Sequence, residues 1–336
     1  MHQSRTQLKV AARFCKACWI LFLFSLPVAS HGEHVINLVV ENDLFTGTDR
    51  HYTSGVMLNY VSDIDGGPKQ LREWGFDMPG ISERDRLHVA ISIGHEIYTP
   101  TDIDAVELLE DERPYAGYAY LAAGFSAANQ EEVDTWRVSL GLVGPGAKGE
   151  YIQNTVHEFI GEEPANGWQN ELSNEWVVNV EYEKKWLNRA WEPPGEWRLE
   201  MDAIPYFNAA LGNLHSYAGL GGMVRFGQGL RRDIGPPRVR PSLPLTQFST
   251  EDMAGSWYFF AGVEGRWVLH NIFLDGNTFT DSHQIDKRPF VGDLQAGFVW
   301  NHRDFKLGYT YIIRTKEFEG QDDHDVYGSL SFSLHF

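Results

Sequence analysis

The last eleven residues of the chain, VYGSLSFSLHF at 326–336, alternate between bulky apolar and small polar side chains. Successive side chains of an extended strand point to opposite faces, so one face carries Leu330, Phe332 and Leu334. The other face carries Ser329, Ser331, Ser333 and His335. Such a strand needs an apolar medium on one side and a polar medium on the other, which restricts the chain to folds in which a sheet separates the two.

Further segments repeat this alternation with similar spacing. They are 35–44, 52–62, 87–98, 117–127, 134–143, 175–187, 197–211, 217–227, 256–268, 289–301 and 305–314. A closed barrel lets such strands cross a membrane, because every backbone hydrogen-bonding group is then paired. We therefore predict an all-β fold, a transmembrane antiparallel β-barrel of about 12 strands with both termini in the periplasm.

The first thirty residues have the order of a secretory signal. Four basic residues precede the apolar run CWILFLFSLPVA, which is followed by small residues ending at Ser30. A single membrane anchor is the alternative, but the run is shorter than the ~20 apolar residues that a spanning helix needs. We predict a signal peptide over 1–30 and an outer-membrane β-barrel domain over 31–336.

Cysteine content and charge exclude several functions. Cys15 and Cys18 both lie in the predicted signal peptide, so the mature chain would lack thiol catalysis, thiolate zinc sites and disulfides. The signal holds four of the 28 basic residues and none of the 46 acidic ones, which leaves a formal charge of −22. A chain this acidic repels nucleic acid and suits a protein that works with divalent cations.

Residues 148–161, KGEYIQNTVHEFIG, break the strand periodicity. Ile152, Val156, Phe159 and Ile160 recur at helical spacing and Gly161 is a suitable C-terminal stop, so we predict a short amphipathic helix in the extracellular loop 144–174. Gln153 and His157 are one turn apart beside this apolar stripe. If the stripe packs against the barrel, His157 points into the seam between helix and wall; a packing role for this histidine is the alternative.

Polar oxygen donors gather where strands 1 and 2 meet at the outer rim. An inward register on the first strand carries Glu41 and Asp43 to the rim, Asn42 lies between them, and Thr53 begins the second strand. Carboxylate, amide and hydroxyl oxygens suit Ca²⁺ better than zinc. The alternative is a hydrated polar loop at the membrane edge.

Five blocks in order, ENDLF, DRHYTSG, IGHEIYTP, DERPYAGY and GPGAKGEYIQNTVHEFIG, resemble the outer-membrane lipid A deacylases of the LpxR type. The resemblance is dense over about residues 35–168 and looser towards the C-terminus. It implies a Ca²⁺-dependent carboxylic ester hydrolase that removes the 3′-linked acyloxyacyl chain from lipid A of lipopolysaccharide in the outer leaflet. The residues that it marks as functional are Asn42, Asp43, Thr53, His157 and Glu163, with Gln153 as a substrate-binding residue.

The chain departs from the family pattern after the third strand. The family has basic residues there that could meet substrate phosphates, whereas this chain reads TPTDIDAVELLED. Three substrates stay open: a less phosphorylated lipid A, lipid A with cation-bridged phosphates, or another acylated lipid.

The sequence favours activated water as the nucleophile. No G-x-S-x-G elbow occurs, so we expect His157 to deprotonate water while Ca²⁺, held by Asp43 and Glu163, polarises the ester carbonyl. Two rival functions are a non-enzymatic porin-like barrel and an outer-membrane phospholipase. The expected partners are lipid A and the bacterial outer membrane, with no nucleic acid, and we expect a monomer.

Two predicted periplasmic connections, 63–86 and 228–255, are unusually long. The second carries Arg231, Arg232, Arg238 and Arg240 and includes the proline-rich stretch GPPRVRPSLP. Its composition predicts a solvated irregular loop without an assigned function.

Overall fold

A computed structural model describes residues 34–46, 51–82, 85–191, 199–230, 233–236, 238–239, 255–302 and 304–336. The predicted signal peptide, 1–30, lies outside the described residues, so its presence stays a prediction. Arg231, Arg232 and Arg240 of the long periplasmic connection also lie outside them.

The described ranges contain one antiparallel sheet of twelve long strands and one short one. The strands are β1 (Val35–Asn42), β2 (His51–Val61), β3 (Arg86–Thr99), β4 (Ala116–Ala128), β5 (Glu132–Val143), β6 (Glu175–Trp186), β7 (Asn188–Trp191), β8 (Glu200–Gly212), β9 (His215–Gln228), β10 (Trp257–Asn271), β11 (Phe290–His302), β12 (Phe305–Arg314) and β13 (Asp325–His335). The ring closes because β1 pairs with β13 and β6 pairs with β8, while the short β7 joins only the edge of β8. The predicted twelve-stranded barrel is confirmed.

Alternation along the strands separates an apolar outer surface from a polar lumen. On β13, Leu330 and Leu334 are exposed on the outside, while Ser331 and Ser333 are buried inside, as the terminal pattern predicts. The lumen of the whole barrel is lined by buried charged and amide side chains, including Glu41, Glu96, Arg137, Glu264, Asp293 and Arg314. A barrel that is apolar outside and polar inside is the arrangement expected for an outer-membrane protein.

Three α-helices occur in the described ranges: α1 (Lys69–Phe76), α2 (Gly149–Ile160) and α3 (Ile272–Asp275). The predicted loop helix is thus confirmed as α2, and it ends at Gly161, which has a positive φ of 81°. No helix in these ranges is both long and apolar enough to cross a membrane.

The long connection after β9 enters the barrel, so the prediction of a solvated loop is wrong for its described part. We call residues 233–236 and 238–239 the plug. Arg238 is 6% exposed and donates hydrogen bonds to Gln295 Oε1 (3.0 Å) and Tyr327 Oη (3.3 Å) inside the lumen. The backbone N–H of Val239 donates to Glu41 Oε1 at 3.1 Å.

Ion pairs hold the first part of the plug. Asp233 pairs with Lys306 (Oδ2 to Nζ, 2.5 Å) and accepts a hydrogen bond from Tyr258 Oη at 3.0 Å. Arg225 donates to the carbonyl oxygen of Asp233 and is itself paired with Asp202. A buried charge is tolerated when it is paired, which explains how a basic segment that looks like an exposed loop can occupy the barrel interior.

The outer mouth of the lumen is closed by aromatic residues and α3. The ring of Phe273 on α3 stacks on Tyr98, with centroids 3.9 Å apart, and Tyr52 and Tyr327 complete the layer. In the described part of the chain, the aromatic layer and the plug thus occupy the lumen, and Arg238 of the plug reaches this layer at Tyr327.

Candidate functional site at the outer rim

The ends of β1 and β2 direct their polar residues to opposite sides of the wall. Glu41 faces the lumen, where its second carboxylate oxygen accepts a hydrogen bond from Tyr52 Oη at 3.0 Å. Asn42, the next residue, faces outward by the same alternation. The pairing of β2 with β3 shifts between Tyr52 and Ser54, so Thr53 is the extra residue of a β-bulge.

Local hydrogen bonds fix the rim on this side. Asn42 Oδ1 accepts from the backbone N–H of Leu44 at 2.7 Å, which caps the short 3₁₀ turn Asp43–Thr46. Asp43 is 2% exposed, and Thr53 Oγ1 lies 2.8 Å from Thr99 Oγ1 on β3. Asn42, Asp43 and Thr53 are therefore held on a rigid edge of the barrel.

Helix α2 lies against the outer face of β3 and β4. Gly149 meets Gly117 so closely that a Cβ atom on Gly117 would lie 2.9 Å from the Gly149 nitrogen. His95, on the outward face of β3, has Nε2 2.8 Å from the carbonyl oxygen of Ala147, just before the helix. Ile97 packs with Trp168 and the partly buried Ile152. The seam between helix and wall is therefore on the lipid side of the barrel.

Helix α2 presents both polar and apolar side chains to its buried side. Gln153 and His157 are each 3% exposed, whereas Val156 is 37% and Phe159 60% exposed. The polar pair faces the seam, and the apolar stripe is divided: Ile160 is buried and Ile152 is partly buried, whereas Val156 and Phe159 face away from the barrel.

A hydrogen bond to one ring nitrogen fixes the orientation of His157. Its Nδ1 lies 2.6 Å from the backbone carbonyl oxygen of Glu163, which can only accept, so Nδ1 carries the proton. In the neutral ring Nε2 then has the lone pair, which is the tautomer a general base needs. Glu163 contributes this carbonyl, while its side chain is exposed.

A hydrogen bond to the amide oxygen fixes the orientation of the Gln153 side chain. The indole N–H of Trp168 donates to Gln153 Oε1 at 2.9 Å, and an indole nitrogen can only donate, which assigns the oxygen end of the amide. The other end, Nε2, is buried and has no hydrogen-bond partner among the described residues. A buried amide with two unused N–H groups is a candidate donor to a substrate carbonyl.

Register links the helix to the rim. Ile97, under the helix, pairs with Ser54 on β2, and Ser54 pairs with Asn42 on β1. Neighbouring strands are ~4.8 Å apart, so Asn42 lies about 10 Å along the outer surface from the wall position that α2 covers. Asn42 thus shares the outer face of the rim with the helical seam.

The predicted Ca²⁺ ligands have the right chemistry. Among the described residues, no three His, Cys, Asp or Glu side chains come together in the way a metal centre of that composition requires. The donors at the rim are the buried Asp43 carboxylate, the Asn42 amide and the Thr53 hydroxyl, all hard oxygens of the kind that Ca²⁺ accepts together with backbone carbonyls and water. The carboxylate of Glu163 is exposed beyond the helix end.

Sequence reasoning missed Trp168 and Glu171, which follow the helix in the same loop. Burial of Glu171, reinforced by the charge of Glu150 and opposed by Lys148, raises the pKa of its carboxyl to about 7. One Glu171 oxygen is buried without a hydrogen-bond partner in the described part of the chain. The only sequence signal for either residue is the position of the aromatic just after the helix.

The acidic loop that departs from the family pattern borders the site. Its backbone carbonyls at Ile103 and Val106 accept hydrogen bonds from Asn166 and Asn170, which lie after α2. The exposed acidic side chains are Asp102, Asp104, Glu107, Glu110 and Asp111. Glu112 instead lies 3.4 Å from His51 Nε2; burial acts to raise its pKa, but the hydrogen bond and charge of His51 lower it overall.

Comparison with known proteins gives one family and a matching fold. A family model described as outer membrane protein LpxR matches residues 17–336. LpxR from Salmonella typhimurium has a similar structure, with a TM-score of 0.72 and 21% sequence identity, covering 90% of this chain and 100% of that chain. The beta domain of the Bordetella autotransporter BrkA gives a TM-score of 0.42 at 10% identity, covering 91% of this chain and 100% of that chain. A comparison with curated protein sequences gave no match.

Proposed function

Because the chain belongs to the LpxR family of outer-membrane proteins, we propose that it is a hydrolase that removes the ester-linked 3′-acyloxyacyl chain from lipid A. The protein is located in the outer membrane, where this substrate forms the outer leaflet. The seam beneath α2 opens on the lipid side of the barrel wall, so an acyl ester reaches it from the leaflet and need not enter the lumen.

The proposal rests on two buried side chains of α2, His157 and Gln153, whose orientations are fixed by hydrogen bonds. His157 and Gln153 are buried one helical turn apart, and each is fixed at one end by a hydrogen bond to the segment after the helix. In this tautomer the lone pair of the neutral ring is on His157 Nε2, and Gln153 Nε2 has two N–H groups without a hydrogen-bond partner among the described residues. A base and an oxyanion donor on adjacent turns are what hydrolysis of an ester by water requires.

The proposed reaction is hydrolysis of the ester by one water molecule. His157 Nε2 takes a proton from water as the oxygen attacks the ester carbonyl carbon, and the carbonyl oxygen becomes an oxyanion near Gln153 Nε2. The bond between that carbon and the sugar oxygen breaks, and the imidazolium returns its proton to the leaving alkoxide. The products are a fatty acid and a lipid A alcohol. General base catalysis of this kind contributes about 10²–10⁴-fold to the rate.

Ca²⁺ is part of the proposal. Bound at the rim, it would polarise the ester carbonyl and stabilise the developing negative charge. Asp43 and Glu163 are the carboxylates that we propose as its ligands, and the Asn42 amide and Thr53 hydroxyl would orient the ion, the water or the acyl carbonyl. The buried Asp43 carboxylate and the hard-oxygen character of the set support this assignment.

The test is hydrolysis of purified lipid A, followed by mass spectrometry of the products, with Ca²⁺ and with a chelator. We expect release of one acyl chain with Ca²⁺ and none after chelation, and His157→Gln should lose at least ~10²-fold in rate while still folding. Glu158→Gln, on the exposed side of α2, is the matched control and should keep full activity. Full activity in His157→Gln would refute the mechanism.

The acidic loop favours a second substrate class for the same chemistry. Five exposed carboxylates lie beside the site and repel lipid phosphates unless cations bridge the two. The glycerophospholipids of the same leaflet carry fewer phosphates per molecule than lipid A, so this repulsion is weaker for them. Purified lipid A and phosphatidylethanolamine should therefore be assayed side by side. Release of fatty acid only from the phospholipid would replace lipid A deacylation with phospholipase activity.

The porin-like alternative is disfavoured by the filled lumen. The plug, the aromatic layer at the mouth and the ion pairs between them occupy the space that a channel would need. A conductance measurement in planar bilayers separates a channel from a closed barrel.

A further inference from the structure

Helix α2 exposes an apolar surface on the side away from the barrel. Tyr151 is 71%, Phe159 60% and Val156 37% exposed. At 100° per residue these three side chains lie within an arc of about 140°, and the buried Gln153 and His157 lie outside this arc. We call them the outer row. Large apolar side chains grouped on one exposed helix face indicate contact with something apolar.

The residues on the outside of the barrel wall indicate the depth of α2 in the membrane. Ile93, Leu121, Leu140 and Val178 pair across four neighbouring strands and are between 48% and 61% exposed, so they form a lipid-facing belt. Two residues further out the wall carries His95, Ala119, Leu142 and Trp176. Two strand residues span about 7 Å, and at this second level Trp176 is 66% exposed, as expected for an interfacial aromatic.

The helix begins just beyond that second level. The carbonyl oxygen of Ala147 accepts from His95, Gly146 contacts the Leu142 side chain, and Gly149 covers Gly117. The start of α2 therefore lies next to the level of Trp176, at the depth where acyl chains meet headgroups.

We propose that the outer row of α2 inserts into the outer leaflet and binds the acyl chains of its lipids. The row and the belt form one apolar surface on either side of the seam that holds His157. A chain whose ester lies at the seam is thus guided along Tyr151, Val156 and Phe159. This last point rests on the proposed function, whereas insertion of the helix does not.

The insertion test uses the absence of other thiols. Both natural cysteines lie in the predicted signal peptide, so Phe159→Cys introduces the sole thiol of the processed protein. A fluorophore attached there is measured in phosphatidylcholine proteoliposomes that contain lipids with a nitroxide near the top of the acyl chain. Glu158→Cys, which is exposed, one residue away and about 100° round the helix from Phe159, is the matched control.

We expect strong nitroxide quenching of the label at 159 and little at 158, with the reverse order for quenching by aqueous iodide. Equal quenching at both sites would overturn the proposal. A label at 159 that is shielded from iodide but not quenched by the lipid nitroxide would indicate a protein partner or a second copy of this chain, which also overturns it.

The role in substrate binding is tested separately. Phe159→Ser should raise KM for lipid A in vesicles by about tenfold or more while kcat changes little, because the substitution removes binding and leaves His157 in place. Glu158→Ser is the control. If the wild type releases no fatty acid, the proposed function fails, but the fluorescence result still decides whether the helix inserts. If the wild type is active and Phe159→Ser has an unchanged KM, guidance by the outer row is refuted.

Discussion

The close contact between Gly117 on β4 and Gly149 at the start of α2 gives a sharp test of the seam. A Cβ atom added to Gly117 would lie 2.9 Å from the nitrogen and 3.0 Å from the Cα of Gly149. Both are backbone atoms, so no side-chain rotation can relieve the overlap. In Gly117→Ala the helix has to move away from the wall while the barrel strands keep their ladder.

The size of the shift follows from the distances. Ordinary contacts of a Cβ atom begin at 3.4 Å, so the start of the helix must retreat by about 0.5–1 Å. Overpacking of this kind costs about 1–3 kcal/mol. A misplacement of about 1 Å lowers a reaction rate by up to ~10²-fold when the reacting groups lie on different elements. We expect kcat/KM of Gly117→Ala for lipid A to fall by about 10–10²-fold.

The assay is deacylation of lipid A in vesicles, together with heat-modifiable gel mobility as a measure of barrel folding. The control is Gly265→Ala, a strand glycine whose added Cβ would meet nothing within 4 Å. The control should keep its activity and both variants should fold. A folded Gly117→Ala with wild-type activity, or an equal loss in Gly265→Ala, would refute the idea that the helix must touch the wall at this point.

Three further predictions concern the seam, the loop after it and the lumen. Gln153→Glu keeps the acceptor for Trp168 but replaces the unused N–H groups with an oxygen, so lipid A hydrolysis should fall by about 10²–10³-fold with unchanged folding; wild-type turnover would exclude Gln153 as the oxyanion donor. Folding raises the pKa of the Glu171 carboxyl from 4.5 to about 7. The folded state therefore binds this proton more tightly than the unfolded state, and local stability falls as the pH rises from 4.5 to about 7. Amide hydrogen exchange in 149–172, corrected for intrinsic rates, should become faster over the same pH range. Glu171→Gln should abolish that pH dependence, and an unchanged profile would show that the carboxyl is not its source. In planar bilayers the intact barrel should pass no steady current, whereas replacing 229–255 with a short turn should open a conductance; equal currents would mean that the plug does not close the lumen.

Alternation of side chains was enough to predict the barrel because each strand meets two different media. The same rule that puts Leu330 outside and Ser331 inside at the C-terminal strand also puts Asn42 outside and Glu41 inside on β1. Helical spacing likewise brought Gln153 and His157 to one side of α2. These predictions depend only on local geometry.

The features that the sequence could not show depend on distant parts of the chain. The proline-rich segment around Arg238 has the composition of a solvated loop, and its charge is balanced by Asp293 of β11, 3.7 Å away across the lumen. The apolar stripe of α2 revealed an amphipathic helix, but periodicity cannot say whether Val156 and Phe159 face protein or lipid. The β-bulge at Thr53 depends on pairing between β2 and β3, which no single strand specifies.

The filled lumen and the outward site are two consequences of one arrangement. Glu41 holds the backbone of Val239 from inside the barrel, and the next residue, Asn42, faces the lipid side of the same strand. An interior packed with paired charges stiffens the wall but denies a lipid any route through the barrel. Any acyl ester must then be reached from the outer surface, where strands alone form only a smooth apolar belt. In the function that we propose, the docked helix provides the polar groups, because it buries an imidazole and an amide beside the wall. Loss of the contact between α2 and the wall should therefore remove the activity while leaving the barrel intact.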